Sequence, residues 1–246
     1  RNMVQNFQPD AIVNAAAFTA VDKAEAHVST AFAVNATAVH NLASAARACQ
    51  ARFIHISTDY VFDGTNKTPY KEQDYTNPQS VYGRTKVSGE LLALAANPDS
   101  VIIRTSWLFS EYGNNFVKTM IRLAGERDNL SIVHDQTGSP TYAGDLAQAI
   151  ITLLQQPVAP RGIYHYGGNK SVTWYEFAQA IFQAAQQHDP HFKIPQLNAI
   201  TTDQYPLPAP RPAYSIMDCQ KIENECGIKA SDWQKALNEI IGKLDN

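Results

Sequence analysis

Phe53-Ile54-His55-Ile56-Ser57-Thr58-Asp59-Tyr60, read together with Ser80-Val81-Tyr82-Gly83-Arg84-Thr85-Lys86, is the passage around which the chain is organised. The apolar run 53–56 reads as a buried strand, so the Thr58 hydroxyl falls at the carboxyl edge of a sheet. Open α/β sheets bind their ligands at that edge. Tyr82 and Lys86 stand four residues apart in what reads as the opening of a helix, which puts both on one face, one turn apart. A phenol keeps its proton far above neutral pH, and a nearby ammonium favours the phenolate. Lys86 is therefore expected to lower the Tyr82 pKa. Hydroxyl, phenol and ammonium would then converge to polarise and protonate a carbonyl oxygen. On spacing alone, the competing reading is a packed Tyr82 and a solvated Lys86 paired with Glu90 at i,i+4.

The 246 residues suffice for one large domain, or a main domain with a smaller lobe. A hydrophobic content of 44% fits a globular chain, and a net charge of -3 gives no electrostatic case for a nucleic-acid or membrane partner. Cys49, Cys219 and Cys226 are too few, and odd in number, for a disulfide framework, and no CxxC pair marks a zinc site. Reduced thiols in a cytoplasm are the expectation. Neither a signal peptide nor an apolar run of spanning length is read in the sequence. There is also no GxGxxG or GxxGxxG, the loop that follows the first strand of a nucleotide-binding α/β domain. The chain instead opens on what reads as a helix end (Met3, Val4, Phe7), closed by Pro9 before a strand over 11–15. A βαβ unit and a little more, roughly 40 to 50 residues, is expected to be missing before it. A chain that truly began at Arg1 would bind a dinucleotide weakly or not at all.

Three longer strings carry a resemblance. They are Asn14-Ala15-Ala16-Ala17-Phe18-Thr19-Ala20-Val21-Asp22-Lys23-Ala24-Glu25, Ser57-Thr58-Asp59-Tyr60-Val61-Phe62-Asp63-Gly64 and Arg104-Thr105-Ser106-Trp107. With the YxxxK of Tyr82 and Lys86 they resemble the extended short-chain dehydrogenase/reductases, and among these the dTDP-4-dehydrorhamnose reductases. The resemblance runs from about Asp10 to the C-terminus. It implies a Rossmann-like doubly wound parallel sheet with a small C-terminal substrate lobe. The dinucleotide-binding domain would span 1–141 and the substrate lobe mainly 142–246, with parts of 142–175 returning to the first. It further implies NADPH or NADH as cofactor and a dTDP-linked keto-deoxyhexose as substrate. In this reading Tyr82 donates the proton, Lys86 holds the nicotinamide ribose, and Thr58 bonds the same substrate oxygen. Two alternatives stay open: a reductase or epimerase of another nucleotide sugar, and a non-catalytic regulatory subunit like that of methionine adenosyltransferase.

Taken in order, the strand over 11–15 ends in Ala15, Ala16 and Ala17, small enough to let a cofactor approach the backbone; tight strand-to-helix packing is the alternative. Thr19 is a further candidate for cofactor contact in the same loop. Ser57 joins the cofactor set with Tyr82 and Lys86. Phe18 stands where family members often carry His, and no role is given to it. An alanine-rich helix is read over 28–49, with Asn35 either bracing the backbone, as in the resembling family, or facing solvent. Asp59 and Tyr60 are candidates for sugar hydroxyls, against a capping aspartate and a packed aromatic. The long loop after Gly64 would pass over the site mouth. Trp107, at the outlet of the strand over 100–104, is a platform for sugar or base, although tryptophans are more often core. Asn114 or Asn115 caps the helix over 117–125, and the family uses this turn, hence Asn115, near substrate. Arg211, beside the proline-rich 206–212, suits a diphosphate; a surface arginine is the alternative. Some family members place a magnesium-binding Glu where Gly144 stands here, so no metal is expected, nor the dimer linked to it; a homodimer of another kind is left open. Thr173 and Glu176 form a capping box.

Overall fold

A computed structural model describes residues 2–244. Four strands, Ala11–Asn14, Arg52–Thr58, Val101–Thr105 and Gly162–His165, lie side by side in that order, all parallel. Val101–Thr105 is buried along its whole length, as expected for a central strand covered on both faces. One face packs Phe53 and Ile102 against Val39, Ala43, Ala46 and Ala93, from the helices Ala38–Ala48 and Val81–Ala96. The other packs Ile54, Val101 and Ile103 against Leu146, Ala149 and Leu153 of Ala143–Gln155, and against Ile222 and Cys226 of Gln220–Cys226. This is the expected doubly wound α/β sheet.

A second core joins the helices Phe116–Glu126, Trp174–His188 and Trp233–Leu244 to a two-stranded parallel sheet of Asn129–Val133 and Gln196–Ile200. Phe177 is its hub, with ring centroids of Phe109, Phe116 and Trp233 at 5.7, 5.6 and 5.4 Å. Truncating such a ring to Ala costs about 3–5 kcal/mol. The capping box forms as read: Thr173 Oγ1 accepts from Glu176 N at 3.1 Å, and Thr173 N donates back to Glu176 Oε2 at 2.7 Å.

The opening segment folds as the short helix Asn2–Phe7 followed by the strand Ala11–Asn14. The helix read over 28–49 arrives in three pieces: Val28–Phe32, a π turn Ala33–Thr37, and Ala38–Ala48. The wide turn carries Asn35 inward. Its amide accepts from Phe18 N at 2.7 Å, and donates to Phe18 O at 3.1 Å and Thr85 Oγ1 at 3.0 Å. Gly89 makes room for it, since a Cβ there would collide with the Asn35 carbonyl. Asn35 is thus a buried brace between the loop after the first strand and the Tyr82 helix, the first of its two expected roles.

Candidate active site at the carboxyl edge of the sheet

Strand Arg52–Thr58 ends in a single 3₁₀ turn, Asp59–Val61, capped by Thr58 Oγ1, which accepts from Tyr60 N at 3.3 Å. The same hydroxyl donates to Asp59 Oδ1 at 3.0 Å. Asp59 is only 2% exposed, and its Oδ2 has no hydrogen-bond partner. Burial pushes its carboxyl up to about 6, with the Ser215 and Thr58 hydroxyls and the backbone N–H groups of Asp59 and Tyr60 acting downward. In the neighbouring strand the register partner of Thr58 is Thr105, whose buried hydroxyl is also unpartnered. Two buried oxygens without partners thus lie at the sheet edge where open α/β folds bind their ligands.

The helix bearing Tyr82 starts where Ser80 Oγ accepts from Gly83 N at 3.1 Å and Glu25 Oε1 accepts from Val81 N at 2.8 Å. Gly83 lies against the Tyr60 carbonyl, with no space for a Cβ, so this helix end docks closely on the Asp59 turn. Tyr82 is buried there, edge-on to Tyr60 with centroids 5.5 Å apart. Its phenol is pushed up to about 12, mainly by burial, with Thr58 acting downward and the Asp59 charge upward.

Lys86 lies on the same helix but does not act on the phenol as expected. Its Nζ donates to Ile56 O at 2.6 Å and stands 3.4 Å from His55 Nε2. Among the described residues no hydrogen bond joins it to Tyr82. The expected lowering of the phenol's pKa is therefore corrected to a rise: burial dominates, and the ammonium is turned to a backbone carbonyl and the His55 ring. Lys86 itself falls to about 8 through burial, opposed by Glu90. His55, buried between Lys86 and Asn14 (Asn14 Nδ2 to His55 Nδ1, 3.0 Å), is held neutral, its pKa lowered to about 3 by burial and then by the Lys86 charge.

The remaining expected residues divide by what their polar atoms touch. Ala15 and Ala16 are exposed just beyond the end of the edge strand, where Asn14 Oδ1 accepts from Ala16 N at 3.2 Å; Ala17 is half-buried and Thr19 exposed. Ser57 is buried and its hydroxyl donates to Glu90. Asn115 caps its helix, accepting from Lys118 N at 3.2 Å and donating to Ser110 O at 2.6 Å, so both ends of its amide are engaged. Trp107 takes a left-handed backbone conformation, φ 48°, and stacks on Trp174 at 3.5 Å between centroids. Such a conformation is strained for a bulky residue and clusters at functional sites. Arg211 is no free surface arginine. It pairs with Asp22 at 2.8 Å and lies over the Tyr60 ring at 5.9 Å.

Tyr60, Arg211, Gln136, Trp174 and Thr202 line a cavity of about 700 Å³ that also reaches Met120. A cavity of about 740 Å³ opens at the opposite, amino end of the strands, beside Arg52 and Leu153, remote from these groups. Asn14, His55, Asp22, Thr105 and Trp174 were not singled out as site residues from sequence. A histidine inside an otherwise apolar strand was the one signal available for His55.

Across residues 1–246 the chain matches the family described as RmlD substrate binding domain. It is 49% identical over 243 residues to a dTDP-4-dehydrorhamnose reductase of Aggregatibacter actinomycetemcomitans, covering 97% of this chain and 83% of that protein. The chain belongs to the dTDP-4-dehydrorhamnose reductase family. Within that family it resembles the solved reductase of Clostridium acetobutylicum, at 39% identity and a TM-score of 0.93 over 100% of this chain and 84% of that one. It resembles equally the Bacillus anthracis reductase solved in complex with NADP, at 36% identity and a TM-score of 0.92 over 98% of this chain and 83% of that one.

Proposed function

We propose that this chain is an NADPH-dependent oxidoreductase of the cytoplasm that reduces the 4-keto group of dTDP-4-dehydro-L-rhamnose to dTDP-L-rhamnose, a step of cell-surface polysaccharide biosynthesis. The observation that carries the reading is the buried Thr58–Tyr82 pair at the carboxyl edge of the sheet, with Lys86 in the next turn of the same helix. Family membership supports the substrate class, and no helix among the described residues is long and apolar enough to cross a membrane.

The residues fit a dinucleotide on one side and a sugar on the other. The small, exposed Ala15 and Ala16 suit close approach of the cofactor, and Lys86 is the cation available to its ribose. The Ser57 hydroxyl is committed to Glu90, which leaves only its backbone for that role. When bound, the reduced nicotinamide supplies the hydride. The protein's part is the proton. A phenol near 12 is fully protonated at neutral pH, the form a reduction needs from its acid. Asp59, Tyr60, Trp107 and Arg211 form the substrate side, with Arg211 aimed at a diphosphate; Asn115 contributes by capping. The cofactor part is then the four-stranded sheet with its covering helices, and the substrate part the Phe177 core. The chain first crosses between them soon after Thr105 rather than at residue 141.

Tyr82→Phe tests this. NADPH oxidation on adding the keto-sugar nucleotide should fall by about 10²-fold or more. Thermal stability and dTDP binding should hold. Near-normal turnover in the Phe variant would remove Tyr82 from the chemistry.

A further inference from the structure

Val21-Asp22-Lys23-Ala24-Glu25 has no task in the reaction as drawn so far, yet its short helix, Val21–Ala26, touches both sides of the site. Val21 and the fully buried Ala24 form its apolar stripe, which packs with Val81 and Tyr82. One position on, Asp22 and Glu25 form a second stripe, since residues three apart are neighbours on a helix surface. Each reaches a different element. Glu25 Oε1 accepts from Val81 N at 2.8 Å, at the start of the helix that carries Tyr82. Asp22 Oδ2 accepts from Arg211 Nη2 at 2.8 Å, and its Oδ1 from Ala209 N at 3.1 Å, both in the proline-rich segment. Lys23, between the two acids, is exposed.

We propose that Asp22 and Glu25 are positioning residues that hold the anchor of the substrate's diphosphate and the proton donor in register. The inference rests on the readings of Arg211 as that anchor and of Tyr82 as the acid. The diphosphate and the reacting carbonyl belong to one substrate molecule. The separation of their two protein partners therefore decides whether the bound sugar meets the phenol. A six-residue helix with one carboxylate tied to each partner is a short, stiff gauge of that separation.

The surroundings suit the role. Arg211, Ala209 and Pro210 line the cavity of about 700 Å³ beside Tyr60, whereas Asp22 is not in that lining and grips the guanidinium from outside it. Arg211 Nη1 donates to Ala209 O at 3.1 Å and Nη2 to Asp22. A guanidinium has five N–H groups, so donors remain for phosphate oxygens. The segment that carries it is itself seated: a Cβ on Gly64, at φ 80°, would strike Pro212, and Thr137 N donates to Ala213 O at 2.8 Å. An arginine fixed before its ligand arrives loses less freedom on binding than a free one. Asp22 thus acts on affinity through Arg211, and Glu25 on rate through the helix of Tyr82.

The test separates the two arms in the full chain. Asp22→Asn keeps an acceptor for Ala209 N while breaking the ion pair. The KM for the keto-sugar nucleotide should rise about tenfold with kcat changed less than about threefold. Calorimetry with dTDP alone should show binding weakened about tenfold as well. Arg211→Ala should weaken dTDP at least as much, and adding Asp22→Asn to it should weaken dTDP no further. Glu25→Ala should lower kcat about tenfold with dTDP affinity unchanged, and Glu25→Gln, which keeps the acceptor, should hold the native rate. Lys23→Gln should alter neither quantity. Native dTDP affinity in Asp22→Asn, or a double variant that binds more weakly than Arg211→Ala, overturns the gauge. So does a Glu25→Ala enzyme whose kcat and dTDP affinity fall together, because that is general loss of structure. Native dTDP affinity in Arg211→Ala, or full turnover in Tyr82→Phe, refutes the underlying readings instead, and each is told apart by that variant alone.

Discussion

Two buried polar clusters hang from the helix Val81–Ala96, and they are finished to different degrees. In the first, Glu90 takes Arg104 in a bidentate pair, Nε to Oε1 at 3.0 Å and Nη2 to Oε2 at 2.8 Å, and also accepts from Ser57. Arg104 further donates to Glu72 O at 3.5 Å and lies 5.1 Å over the Phe62 ring. Both Glu90 oxygens have donors. The second cluster, Thr58, Asp59 and Tyr82, sits at the sheet's outlet with the Asp59 Oδ2 and neighbouring Thr105 hydroxyl unpartnered. Burial is nearly equal, since Glu90 and Asp59 are both 2% exposed. Satisfaction is what differs. A closed network rigidifies, while an open one stores free energy that a ligand can recover.

The largest effect is expected from breaking the closed cluster. Glu90→Gln leaves the Arg104 charge buried and uncompensated, which should cost about 3–5 kcal/mol. Urea unfolding should show this as a lower midpoint with an unchanged slope. A loss below about 1 kcal/mol would mean that water reaches the pair.

Opening the other cluster should have the opposite sign. The folded Asp59 carboxyl, at about 6, lies above its ordinary value of 3.8. Its contribution to stability is therefore complete below about 3.8, and is lost as pH rises through 6. Asp59→Asn removes that loss, so the variant should be more stable than the native protein at pH 7, by up to about 3 kcal/mol. Its stability should also be flatter between pH 4 and 7, as followed by thermal melts across that range. A variant that is equally or less stable at pH 7 would mean that the carboxylate is satisfied, and the contrast between the clusters would disappear.

What could be read from the chain follows the range of the forces involved. Strand Arg52–Thr58, helix Val81–Ala96 and the Thr173–Glu176 box are local: an apolar run, an i,i+4 face and a three-residue reciprocal bond. The π turn at Ala33–Thr37 exists because Asn35 must reach Phe18 and Thr85 while Gly89 yields space, a three-body fit with no local pattern. The strand Gln196–Ile200, largely half-buried or exposed and paired with the distant Asn129–Val133, left no periodic signal. Lys86 was placed on the correct face, but a four-carbon stem lets its ammonium choose among several acceptors, and Ile56 O won. Face is a property of sequence; rotamer is a property of packing.

Ser57 is the residue where period-two alternation should have prevailed over resemblance. Successive side chains on a strand point to opposite faces. A Thr58 that faces Tyr82 therefore turns Ser57 toward another partner, and that partner is Glu90. Ser57→Ala should then behave as a change to the closed cluster alone. One hydrogen bond to a charged group is lost, while Arg104 still neutralises Glu90, so the cost should be about 1.5 kcal/mol. The KM for NADPH should be unchanged, because the hydroxyl is committed to Glu90. A raised cofactor KM with unaltered stability would reverse the assignment and move Ser57 from the closed cluster to the open one.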